Sequence, residues 1–169
     1  MLHTITKIKD IDERKFLDIY AEGNAENAEE LYPEYEPAEA LAKAEASFRE
    51  FLLEFFSEEG NTYYILEEDG VWVSALRLSA TGEREYYLEA LETRPDLRRR
   101  GCAKRLFEAV FAELKKGGGF VIRDCVSKRN LPSLRTHEAC GFAVVSDVGT
   151  NYIDGSVNER CFGLEYDCR

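Results

Sequence analysis

The chain has 169 residues and a formal net charge of −11 at pH 7, a length that suits one domain with a buried core. The excess of acidic residues argues against nucleic acid and anionic membranes as partners, because both are bound through basic surfaces. No run of about eighteen apolar residues occurs, and the N-terminal MLHTITKIKD lacks the apolar core of a signal peptide. We therefore expect one cytoplasmic domain over residues 1–169.

The cysteines and histidines give no sign of a metal centre. The five cysteines have no CxxC spacing, and neither of the two histidines stands in a cluster with metal-ligand spacing. We expect no metal cofactor and read the cysteines as reduced, mostly small buried residues.

The first part of the chain predicts one strand and two helices. Alternating residues over 2–8 predict a first strand, and Asp10 followed by Glu13 has the spacing that caps a short helix. Residues 24–37 are polar and are predicted as a loop with some helix. Apolar residues at helical spacing over 38–57 predict the longest helix.

Three strands follow as an antiparallel meander. Strand patterns over 62–67 and 71–79 flank Glu68-Asp69-Gly70, which is a strong hairpin signal. A third strand is predicted over 85–93, and it ends before Pro95 because proline cannot donate to a strand ladder.

The second half of the chain predicts two helices and three strands. Apolar residues at three- and four-residue steps after Gly101 indicate an amphipathic helix that runs to Leu114. Asn130 can cap another helix, and Gly141 is placed to end it. Strands are predicted over 120–126, 142–148 and 159–167. The resulting order predicts an α/β protein with a mixed sheet.

An anion site is predicted where the strand over 85–93 leads into the helix after Gly101. The first N–H groups of a helix lack intrahelical partners and lie at the positive end of its dipole. Gly101 allows close approach to them, and Arg98, Arg99 and Arg100 add positive charge. The alternative is an ordinary solvated helix start. The P-loop and GxGxxG motifs are both absent.

The segment Arg98-Arg99-Arg100-Gly101-Cys102-Ala103 resembles the acyl-CoA pyrophosphate motif (Arg/Gln)-x-x-Gly-x-(Gly/Ala) of the GNAT superfamily of N-acetyltransferases. Residues 130–142, NLPSLRTHEACGF, resemble the second signature of the same family. The resemblance implies a single GNAT-like domain, with a central mixed, mostly antiparallel sheet of about seven strands flanked by about four helices. It also implies transfer of an acetyl group from acetyl-CoA to a primary amine by direct attack.

The resemblance assigns the cofactor site residue by residue. It implies that Leu91 and Thr93 lie beside the pantetheine arm, and that Asn130 and Ser133 line the other side. The pyrophosphate would be held by the motif and the residue after it: Arg98, Arg99, Arg100, Gly101, Cys102, Ala103 and Lys104.

Each candidate catalytic residue has an alternative, non-catalytic interpretation. His137 occupies the position of the family's usual tyrosine acid, and the alternative is a histidine that only packs or hydrogen-bonds. Glu89 and Glu92 are candidate bases, but in a regular strand they face opposite ways, so at most one reaches the substrate unless a bulge intervenes. Each glutamate has the alternative of a solvated or salt-bridged role.

The acceptor amine is expected to be a small molecule rather than a protein. We expect the loop with Tyr32 and Tyr35 to contact it, and the alternative is an ordinary acidic surface loop. A homodimer through the last strands is consistent with the family. A different class of function, a non-catalytic acyl-CoA-binding regulatory or interaction module, stays open because the motif tyrosine is missing.

Overall fold

A seven-stranded sheet with strand order β1-β2-β3-β4-β5-β9-β6 forms the centre of the molecule. The computed structural model describes all residues from 1 to 169. The strands are β1 Leu2–Ile5, β2 Thr62–Glu68, β3 Val71–Gly82, β4 Glu85–Thr93, β5 Val121–Ser127, β6 Ala143–Ser146, β7 Gly149–Thr150, β8 Val157–Asn158 and β9 Cys161–Asp167. The helices are α1 Glu13–Ile19, α2 Ala21–Leu31, α3 Pro37–Phe55, α4 Cys102–Lys115 and α5 Leu131–Ala139.

All pairings in this sheet are antiparallel except the one between β4 and β5. The parallel pairing extends only from Glu85 and Val121 to Leu88 and Asp124, although both strands continue beyond these residues. The two strands therefore separate at their carboxyl ends and leave an opening in the middle of the sheet.

Each face of the sheet is covered by helices. Helix α4 places its apolar side, with Leu106, Phe107 and Val110, against one face, and these side chains are fully buried. Helices α1 and α3 cover the other face through an aromatic cluster that includes Phe16 and Phe55. This division follows from the apolar stripe that each helix carries at 3.6-residue spacing.

The predicted fold class is confirmed, with differences in detail. Residues 24–37 were expected to be a loop with some helix, but α2 occupies Ala21–Leu31. Alanine and glutamate, which fill this segment, have high helix propensity, and Asn24 and Ala28 turn inward. The first strand ends at Ile5, and residues 8–10 form a 3₁₀ turn. The predicted loop before the last strand contains the short β7–β8 ribbon.

No helix of the protein combines the length and the apolar character needed to cross a bilayer.

Candidate active site

A cavity of about 790 Å³, here called the main cavity, lies at the carboxyl end of β4 between the start of α4 and helix α5. Every residue that the resemblance assigned to the cofactor lines it except Arg100, whose carbonyl accepts a hydrogen bond from Arg105 Nη1 at 2.7 Å. Those that line it are Leu91, Thr93, Arg98, Arg99, Gly101, Cys102, Ala103, Lys104, Asn130 and Ser133. Residues from three separate stretches of sequence thus meet at one surface.

The start of α4 presents unpaired backbone donors to the main cavity. None of the N–H groups from Arg99 to Lys104 donates a hydrogen bond within the protein. Gly101 adopts the left-handed conformation at φ 75°, and Arg99 also has a positive φ of 61°. These conformations turn the chain sharply into the helix, so the free donors and the positive end of the helix dipole coincide. Such an arrangement binds anions.

Helix α5 supplies the wall facing α4. The Asn130 side chain caps this helix by accepting a hydrogen bond from Ser133 N at 3.1 Å, which confirms the predicted helix start. The exposed first turns then bring Arg135 and Thr136 to the cavity together with Ser133. Arg135 and Lys104 add positive charge here, which suits an anionic ligand.

Carboxylates from α2 and β4 form what we call the acidic wall of the main cavity, made of Glu22, Glu26 and Glu92. Arg98 forms an ion pair with Glu22, and its Nη2 lies 3.5 Å from Glu92 Oε2. Burial raises the pKa of Glu92 above its ordinary value, with Glu22 and Glu26 adding to the rise and Arg98 opposing it. A carboxylate whose pKa is raised in this way accepts a proton more readily than an ordinary carboxylate.

A bulge in β4 places Glu89 and Glu92 on the same face of the sheet. Glu89 pairs with Arg77 and Glu92 with Ala75, so the two residues of β4 between them, Ala90 and Leu91, lie opposite a single residue of β3. Ala90 adopts a left-handed conformation, with φ 51°, which accommodates the extra residue of the bulge. The opposite orientation expected for a regular strand therefore does not occur.

Residues 25–142, more than half of the chain, match a sequence profile of the acetyltransferase (GNAT) family. The chain belongs to the GNAT acetyltransferase family. Curated protein sequences give no match.

Solved structures of GNAT acetyltransferases share the fold of this chain. A PaiA N-acetyltransferase from Thermoplasma acidophilum, in complex with coenzyme A, superimposes with a TM-score of 0.66 at 15% identity over 99% of each chain. An IAA acetyltransferase from Bacillus cereus gives 0.63 at 14% identity, again over 99% of each chain. An aminoglycoside 6'-acetyltransferase type Ii gives 0.63 at 12% identity over 99% of this chain and 96% of that one. At such low sequence identity, the structural similarity shows that this chain shares the fold of these proteins.

His137, the candidate general acid, is buried and does not line the main cavity. Its side chain is 1% exposed and packs edge-on against Phe107 and Phe142. Its Nδ1 lies 2.8 Å from the backbone carbonyl of Ser133, and its Nε2 lies 2.8 Å from Asp124 Oδ2, at an angle outside hydrogen-bond geometry. These contacts are those of a histidine that packs and hydrogen-bonds inside the protein. A side chain buried in this way does not reach a substrate in the main cavity.

The remaining predicted residues also lie outside the main cavity. The Nε of Arg77 donates to Glu89 at 3.2 Å, so this glutamate occurs as half of an ion pair. The hydroxyl of Tyr32 lies 2.8 Å from Ser47 Oγ on α3, and Tyr35 stacks under the Lys43 ammonium at 4.2 Å. The two tyrosines therefore fix the link between α2 and α3 and do not line the main cavity.

Sequence reasoning missed the acidic contribution of α2 to this GNAT site. Glu22 and Glu26 are four residues apart, a spacing that puts both on one helix face once the segment is recognised as helical. Arg135 and Thr136 were also missed, although they lie inside the second signature. No group of three His, Cys, Asp or Glu side chains stands together as metal ligands.

Proposed function

We propose that this chain is an acetyl-CoA-dependent N-acetyltransferase that transfers the acetyl group to a primary amine of a small molecule by direct attack. The main cavity carries this proposal, because it combines free N–H groups at the start of α4 with a partly buried carboxylate from β4, that of Glu92. Acetyl transfer needs both an anion site for the cofactor and a group that takes a proton from the amine.

The residues at the start of α4 fit the pyrophosphate of acetyl-CoA. The free N–H groups from Arg99 to Lys104 can donate to phosphate oxygens, and Lys104 and Arg135 supply charge. The opening between β4 and β5 lies next to Leu91 and Thr93, which would flank the extended arm of the cofactor. Acetyl-CoA, once bound, supplies the activated thioester.

Glu92 is the residue to which we assign the base role. An amine arrives mainly as an ammonium ion, which the carboxylates of the acidic wall attract. Its nitrogen becomes a nucleophile only after losing a proton, and the raised pKa of Glu92 brings this carboxylate closer to the working pH. The coenzyme leaves as a thiolate, which needs a proton to become a thiol. Because His137 does not line the main cavity, we assign the role of proton donor to water in this open site.

The test combines calorimetry with a thiol-release assay. We expect acetyl-CoA to bind and free thiol to appear only when a suitable primary amine is present. Binding without thiol release across a broad amine panel would instead support the non-catalytic acyl-CoA-binding module. Failure to bind acetyl-CoA would contradict both functions.

A further inference from the structure

Arg98 lies between two parts of the main cavity, the anion site at the start of α4 and the acidic wall. Strand β4 ends at Thr93, and a 3₁₀ turn over Pro95–Leu97 leads from it to Arg98. Proline restricts the backbone of this turn and so limits where the next side chain begins. The Nε of Arg98 donates to the Thr93 carbonyl at 3.4 Å. The guanidinium is therefore held near the end of β4.

The guanidinium of Arg98 contacts carboxylates from two different elements. It forms an ion pair with Glu22 on α2, and its Nη2 lies 3.5 Å from Glu92 Oε2 on β4. These contacts link α2 to the end of β4 across the acidic wall. A guanidinium that already pairs with carboxylates has to give up these contacts before it binds a phosphate. The position of Arg98 in the motif therefore does not by itself make it a phosphate ligand.

Other groups supply positive charge and donors to the anion site. Arg99 and Arg135 line the main cavity and form no ion pair, and the carboxylate near Lys104 Nζ, that of Glu108, is 3.9 Å away. A phosphate at the start of α4 would meet these charges together with the free N–H groups of residues 99–104. The anion site therefore does not depend on Arg98.

Glu92, in contrast, lies among groups that favour its protonated form. The titratable groups that act on it come from α2, from the junction before α2 and from the turn after β4: Glu22, Glu26, Tyr20 and Arg98. Its partner on β3, Ala75, is uncharged. Burial raises the pKa of Glu92, the carboxylates of α2 add to the rise, and Arg98 opposes it. Arg98 is therefore placed to keep this carboxylate ionised.

We propose that Arg98 is a positioning residue of the acidic wall and not a ligand of the pyrophosphate: it holds Glu22 and Glu92 together and keeps Glu92 ionised. The proposal rests on the proposed function, in which Glu92 takes a proton from the amine and must be ionised to do so. This role differs from the one that the family resemblance implies for the position.

The first test follows the Glu92 carboxyl group by NMR titration of protein with isotope-labelled glutamate, with Glu92→Gln to identify the signal. Arg98→Gln should move the titration of Glu92 to higher pH, because it removes the opposing cation. Glu22→Gln should move it to lower pH, because it removes a like charge and leaves Arg98 to pair with Glu92 alone. Arg98→Lys keeps the charge and should restore most of the parent titration. None of these readouts needs turnover.

Arg99→Gln is the matched control. It removes the same charge from the next residue, which also lines the main cavity but forms no ion pair with the acidic wall. The control should leave the titration of Glu92 unchanged and weaken coenzyme A binding by about fivefold to tenfold in calorimetry. Arg98→Gln should change coenzyme A affinity by less than about twofold.

The second test is the pH dependence of kcat/KM for the amine. On the acidic limb Arg98→Gln should lose about tenfold relative to the parent, because a smaller fraction of Glu92 is ionised there. The loss should shrink as the pH rises, since Glu92 ionises in both proteins. A loss that is equal at every pH would contradict the positioning role.

Three further results would overturn the proposal: an unmoved Glu92 titration in Arg98→Gln, an equal movement in Arg99→Gln, or a loss of coenzyme A affinity in Arg98→Gln as large as in Arg99→Gln. Turnover without the titration shifts would leave the acetyltransferase function standing and remove the role of Arg98. The titration shifts in a protein without turnover would uphold the action of Arg98 on Glu92 and remove the acetyltransferase function.

Discussion

The same residue type plays different roles at two positions of β4 because the bulge at Ala90 fixes where each glutamate lies. Glu89 forms an ion pair with Arg77, and Glu92 lines the main cavity with a pKa raised chiefly by burial. The motif position of His137 made it a candidate acid with packing as the alternative, and its ring packs between Phe107 and Phe142. Residue type therefore limited the candidate catalytic residues to a few positions, and the burial and ion pairs of each side chain distinguished among them.

Glu92→Gln tests the base assignment. Glu92 accepts a proton only when it is ionised, so the kcat/KM of the parent should rise with pH through a pKa above the ordinary carboxyl value and then level off. The glutamine variant should lose about a hundredfold or more in kcat/KM and should lack this acidic limb. Glu89→Gln is the control and should keep the limb, because Glu89 does not line the main cavity. An acidic limb that persists in Glu92→Gln would refute the assignment.

His137→Ala tests the packing role. The substitution removes a buried ring and leaves a cavity beside Phe107 and Phe142, so we expect a loss of about 2–5 kcal/mol in the free energy of unfolding. Urea denaturation measures this loss. Asp124→Asn, which removes the charge and keeps the shape, should cost less. If the folded variant retains turnover, the acid interpretation is excluded, whereas full stability with lost turnover would restore it.

Two elements form much of the main cavity: the turn into α4 and helix α2. The sequence predicted the first and did not predict the second as a regular helix. The turn into α4 was identifiable because a glycine after three arginines and before an amphipathic stripe has a local physical meaning. Helix α2 was missed because its segment, AEGNAENAEEL, has no strong apolar stripe, only high helix propensity. Its packing on α3 through Ala28, Ala40 and Ala44 supplies the stability that a sequence pattern does not display.

Substitutions at Gly101 test the start of α4 as the pyrophosphate site. Asparagine tolerates the left-handed conformation that Gly101 adopts and adds no charge, whereas aspartate adds a negative charge beside the phosphates. We expect Gly101→Asn to weaken acetyl-CoA binding modestly and Gly101→Asp to weaken it by at least about a further tenfold, as measured by calorimetry. Equal affinities for the two variants would mean that the phosphates bind elsewhere.

At the scale of the whole molecule, β6 is an edge strand on which all residues are exposed, including Val144 at 55% and Val145 at 57%. Exposed apolar residues on an unpaired edge favour association with another strand. A homodimer through the last strands, which the family resemblance allows, remains a prediction, and this edge is the surface on which such a dimer would form.

Val145→Lys tests that prediction by sedimentation velocity. The parent chain should sediment as a dimer, and the lysine variant should shift toward a monomer because a charge at a strand edge opposes pairing. Lys128→Glu, a charge change away from β6, serves as the control and should leave the sedimentation coefficient unchanged. A monomeric parent chain would contradict the expected dimer.

The sequence by itself determined the order of the seven strands of the main sheet and of helices α1, α3, α4 and α5, the hairpin at Asp69 and Gly70, and the arginine-glycine turn into α4. Each depends on local periodicity or backbone conformation. Only the tertiary structure decided which carboxylate reaches the main cavity, that His137 is buried, and that α2 brings Glu22 and Glu26 to the main cavity. These features depend on the register between β3 and β4 and on packing between distant helices, where contacts between residues far apart in sequence fix the result.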